Sequence, residues 1–238
     1  MGELIRRTAA ADDIIADVRA TLMNAEAKGG GWKELAEQRL SGVVALIDNV
    51  ETQLQKAEAK LEPLLAALDV ANEEADAVLG HVSDEIWNEV GRPAADPALA
   101  VLFPGGIAYY ADASVDKQPA RMDLLAELLE SRIHPRLSPE QVKAHAKDIR
   151  ASANELRAAV DAVAAPNERV ELLERVRRAL ATVAHADLTS LKRLYKNEHF
   201  SQSDIHGVIP DRPASGKKSG ATPPGPATGS GPGSTTPS

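Results

Sequence analysis

Val43, Ile47, Val50, Leu54, Ala57, Leu61, Leu64, Leu68, Ala71, Ala75, Val78 and Val82 follow one another at alternating intervals of four and three residues. An apolar seam with that spacing runs along one side of an α-helix and packs lengthwise against another helix. The seam predicts a long helix from near Trp32 to Val90, stopped by Gly91-Arg92-Pro93. A second seam, Val142, Ala146, Ile149, Ala153, Leu156, Val160 and Val163, changes register after Pro166 to Val170, Leu173, Val176, Leu180, Val183, Asp187, Leu191 and Leu194. It predicts another long helix, from Ser138-Pro139-Glu140-Gln141 to near Phe200. Ser at the N-cap, Pro at the first helical position and Gln two residues on make a strong helix start.

Two shorter helices accompany these. Ile14, Ile15, Val18 and Leu22 predict one from Ala9 to Lys28, ended by Gly29-Gly30-Gly31. Met122, Leu125, Leu128 and Leu129 predict another from Pro119 to Ile133, ended by Pro135. Residues 92–117 between them read as an irregular loop rich in Pro, Gly and Ala. The expected fold is all-α: an elongated, antiparallel, coiled-coil-like bundle over residues 1–200. If Gly91 and Ser138 lie at the same end, facing residues have numbers adding to about 229. Pro63 and Pro166 obey that rule, so two proline breaks are expected side by side as a narrow waist. From Pro210 onward the chain has seven prolines, six glycines and no aromatic residue. Residues 201–238 are therefore expected to form a disordered tail.

Composition narrows the chemistry. There is no cysteine, which removes disulfides, thiolate metal sites and thiol catalysis. No apolar run is long enough for a membrane span, and Met1-Gly2-Glu3-Leu4-Ile5-Arg6-Arg7 does not read as a signal peptide, so a cytoplasmic location is expected. The net charge of −8 argues against general nucleic-acid binding. It is unevenly spread: residues 31–91 carry thirteen acids and four bases, whereas residues 138–200 carry nine acids and eleven bases. Two such helices attract each other along their flanks.

No phosphate-binding glycine loop, nucleophile elbow or His-Glu-x-x-His metal motif occurs. Gly29–Gly31 follows a helix instead of a strand, so it reads as a connection. Enzyme activity and a cofactor are therefore not expected. The aromatic segment Leu102-Phe103-Pro104-Gly105-Gly106-Ile107-Ala108-Tyr109-Tyr110, with Trp87 just before it, is the most distinctive stretch. Trp87, Phe103, Tyr109 and Tyr110 are the candidate partner-binding residues, because aromatic side chains dominate interface energetics. The expected function is that of a non-enzymatic structural or adaptor protein, a rigid helical rod presenting a loop and a tail to protein partners or to another copy. One alternative is an amphipathic coat protein on an apolar inclusion or lipid surface. Another is a metal-binding bundle. His81 with Asp84 and His145 with Asp148 share the His-x-x-Asp spacing, and the antiparallel register sets the two pairs opposite each other.

Overall fold

In the computed structural model, residues 4–210 are described and contain seven helices and no strand. In chain order these are α1 (Ala11–Lys28), α2 (Gly30–Glu89), α3 (Pro97–Leu102), α4 (Ala108–Ala111), α5 (Gln118–Glu130), α6 (Pro139–Asn197) and α7 (Gln202–Val208). The chain is the all-α bundle its periodicity predicts. The two long helices, 60 and 59 residues, lie antiparallel. Trp32 meets Tyr195, Glu51 meets Arg177 and Glu85 meets His145, so the contacts advance along α2 as they retreat along α6. The Ser138 capping box starts α6 as expected, with Ser138 accepting from the Gln141 amide and Gln141 accepting from the Ser138 amide.

Burial divides along the rod. One core gathers Ile14, Ile15 and Val18 of α1, Leu40 and Ile47 of α2, and Ala184, Leu188, Leu191 and Tyr195 of α6. The other gathers Leu79, Val82 and Ile86 of α2, Met122, Leu125 and Leu129 of α5, and Ile149, Ala153 and Leu156 of α6, with Leu102 and Tyr110 closing its end. Each Val, Leu, Ile or Met side chain so enclosed contributes roughly 1.5–3 kcal/mol. Between the cores α2 and α6 are alone. There only Leu61 and Leu173 are buried, and the remaining seam residues are half-covered.

Three expectations change. Pro63 and Pro166 do not break their helices; both helices run through them without interruption. An interior proline disfavours a helix by about 3 kcal/mol, but each lies between two cores that fix the helix on either side. Pro166 lines a groove with Gln53, Ala57 and Lys60, and Pro63 is exposed. The second half of the α6 seam is shifted as well. Leu173, Ala181, Ala184, Leu188, Leu191 and Tyr195 face inward, whereas Val176 and Val183 point outward. Ala181, Ala184 and Tyr195 belong to the core that α6 shares with α1 and α2.

The folded unit also extends past residue 200. Ser201 caps α7 by accepting from the Asp204 amide, and Ile205, Val208 and Ile209 are buried against the first core. Asn24 donates to the Val208 carbonyl at 3.1 Å, and Lys28 pairs with Asp204 at 2.5 Å. The expected tail therefore loses its first residues to the bundle. Its remainder, 211–238, lies outside the described residues.

Candidate functional site

Chain reversal at one end of the rod is built by α3, α4 and α5. Asp96 caps α3, accepting from the Ala98 and Leu99 amides at 2.8 and 3.1 Å and facing the buried His134 at 3.2 Å. Those amide hydrogen bonds, first that of Leu99, hold its carboxyl below the usual range. Arg136 donates to the Val90 carbonyl at 2.8 Å, tying the end of α2 to the start of α6. The loop is thereby fixed at several points.

The structure splits the four candidate aromatics into two pairs. Phe103 and Tyr110 are buried, their rings edge-on at 6.2 Å, and the Tyr110 hydroxyl donates to the Leu102 carbonyl at 2.6 Å. Burial pushes that phenol up to about 12. These two are architecture. Trp87 and Tyr109 are 40 % and 36 % exposed. Tyr109 is held edge-on to Tyr110 at 5.0 Å and under the Arg121 guanidinium at 4.5 Å, and Arg121 also donates to its carbonyl. A ring fixed in this way loses little freedom when a partner covers it.

The four candidate metal ligands are not brought together. With Val82 and Ile86 turned inward, residues 81, 85 and 89 share one edge of α2, and Asp84 lies on another. His145 is buried and meets Glu85 and Glu89 instead, its Nδ1 and Nε2 each 3.6 Å from a carboxylate oxygen. His81 is exposed and pairs with Glu85 at 3.3 Å, while Asp148 lines an open groove with His81, Val82 and Ser152. Among the described residues no group of three or more His, Asp or Glu is arranged to hold a metal ion.

Charged groups serve instead as ties between helices. Arg19 of α1 and Arg177 of α6 both donate to Glu51 of α2, at 2.7 and 2.9 Å, and they also reach Asp48 and Asp12. Burial raises the Glu51 carboxyl, but the two guanidiniums outweigh it and leave the group below its ordinary value. Arg150 with Glu130 and Arg157 with Asp123 clamp α5 to α6.

A second aromatic cluster, at the other end of the rod, is absent from the sequence reading. Trp32 stacks on Phe200 at 4.0 Å and leans on Tyr195 at 4.6 Å, and the Tyr195 hydroxyl donates to the Trp32 carbonyl at 2.8 Å. Its signal was present: Trp32 faces positions 195–200 under the same antiparallel register that pairs the two seams.

Exposed apolar side chains form one further pattern. Leu172, Val176, Ala179, Val183 and Ala186 are all exposed and recur at intervals of four and three along the outer side of α6. Beside them, Gln53, Lys56, Ala57, Lys60, Pro166 and Arg169 line an open groove of about 260 Å³. No helix among the described residues is long and apolar enough to cross a membrane. No family model matches the chain, and no curated protein or solved structure matches it.

Proposed function

We propose that this chain is a non-enzymatic structural or adaptor protein, a helical rod that presents fixed surfaces to protein partners. The observation that carries the reading is the division of labour among the aromatics at the loop end. Phe103 and Tyr110 hold the loop from within, and Trp87 and Tyr109 are left at the surface. Hot-spot residues in interfaces are enriched in Trp and Tyr and act best on a rigid support. Support also comes from the ionisable groups. Glu51, Glu130 and Asp123 are committed to arginines between helices, and the grooves at Pro166 and at His81 are open instead of enclosed.

The test is affinity capture with identification of the bound proteins, comparing the native chain with Trp87→Ser/Tyr109→Ser. Both residues are surface groups, so helicity by circular dichroism should be unchanged. A defined partner that is held by the native chain and weakened at least about tenfold by the double substitution is the expected result. An identical bound set for both proteins would remove the loop end from the interface.

A further inference from the structure

Beside the first core, α6 presents Arg177 to α2, and α2 answers with Glu51. At the two-helix waist the answer is missing. Arg169 of α6 reaches only the neutral Gln53, at 3.0 Å, and α2 lines the same groove with Lys56 and Lys60. Those two lysines lie one helical turn apart, a spacing at which like charges oppose a helix. Among the described residues neither has an ion pair, nor has Arg169, although Glu168 and Glu171 line the next groove along α6. The chain holds 35 acids to 27 lysines and arginines, so these cations are not left over for want of acids. Pro166, which a helix interior disfavours, lines the groove from the other side. Stacked lysines, an arginine facing them and an interior proline are three departures from local rules at one place. Departures gathered in this way belong to function more often than to folding.

We propose that this groove binds a small, free organic anion, a phosphate monoester on a compact apolar body. Lys56, Lys60 and Arg169 surround the phosphate, and the half-buried Ala57 and Pro166 take the body. The methylene stems of the lysines extend that apolar side. Three cations suit a dianion better than a carboxylate, and guanidinium and ammonium donors both make charge-assisted hydrogen bonds to phosphate oxygens. The groove, at about 260 Å³, falls just short of the roughly 300–1,000 Å³ of drug-sized sites, which keeps the body compact. A bound anion then supplies between α2 and α6 the charge link that Glu51 supplies beside the first core.

The probe is phenyl phosphate, titrated into the full chain and followed by amide chemical shifts. Saturable shifts confined to residues 53–60 and 165–170 are expected, weakening as salt is added. Lys56→Gln/Lys60→Gln should bind at least about tenfold more weakly, with helicity retained because both lysines are exposed. Inorganic phosphate should also bind at least about tenfold more weakly, since it has nothing to lay on Ala57 and Pro166. Equal affinity for the two phosphates, or for native and substituted chains, overturns the proposal, and so does an absence of shifts at the groove. Retention on vesicles containing phosphatidic acid without binding of phenyl phosphate also overturns it, by assigning the cations to a lipid surface. Trp87 and Tyr109 take no part in these readouts, so failure here leaves the loop-end reading to its own test.

Discussion

Glu51 is where three helices are joined by charge. Its carboxylate accepts from Arg19 on one side and Arg177 on the other, and those bonds keep it ionised more readily than an ordinary glutamate. A carboxyl lowered on folding gives stability that is complete above its unfolded value near 4.5 and is lost as pH falls through the lower folded value. Other carboxyls, Asp96 and Glu130 among them, are lowered too, so the acid limb of the native protein is composite. The informative measurement is therefore the difference in urea midpoint between native protein and Glu51→Gln, taken from pH 7 down to pH 3. The native protein should lead at neutral pH, and the gap should close on acidification. A gap independent of pH would mean that the arginines do not act through the charge. At this scale the sequence announced residue types but not their fates. Nothing in Phe103-Pro104-Gly105-Gly106-Ile107-Ala108-Tyr109-Tyr110 says that Tyr110 turns inward and Tyr109 outward, because two adjacent residues on one short helix differ by about 100° and the choice is made by packing. The expected His81, Asp84, His145 and Asp148 group failed through packing too: His145 turns into the core and meets Glu85 and Glu89, while Asp84 stays exposed.

Elements were far more legible than side-chain fates. Repeated four-three spacing marks helices, and glycine, proline and capping residues mark their ends, so α1, α2, α5 and α6 follow from local rules. What local rules could not supply was α7. Gln202-Ser203-Asp204-Ile205-His206-Gly207-Val208 is too short and too polar to declare itself, and it is helical because α1 and α6 offer Ile205, Val208 and Ile209 a place in the core. Three such side chains contribute on the order of 5 kcal/mol in gross burial, less the cost of ordering the segment. Ending the chain at residue 200 should accordingly lower the thermal midpoint by several degrees and raise amide exchange in α1. An unchanged midpoint would show that α7 rides on the core without supporting it. The shifted α6 seam has the same origin. Val176 and Val183 fit a heptad as well as Ala181 and Ala184 do, and only the arrival of α1 decides which series is enclosed.

Seen whole, the molecule is two cores strung on one pair of helices. Continuous helices would transmit order from end to end, because each new helical residue adds to a nucleus already formed. Against that stands the waist, where one leucine on each helix, Leu61 and Leu173, is the only buried apolar side chain. Coupling through helical continuity is also weakened at Pro63 and Pro166, since each proline removes one backbone hydrogen bond. The weaker link should govern, so the ends are expected to open as separate cooperative units. Leu125→Ala empties a fully buried site in the core shared by α2, α5 and α6, and Leu188→Ala does so in the core shared by α1, α2 and α6. Each should cost about 2–5 kcal/mol locally. Amide exchange read along the chain should then rise around α5 and the start of α6 for the first, and around α1 and the end of α6 for the second, with the opposite end unmoved. Uniform loss of protection in both would mean that the helices carry cooperativity across the prolines, and that the waist is a continuation of the core instead of a boundary between two.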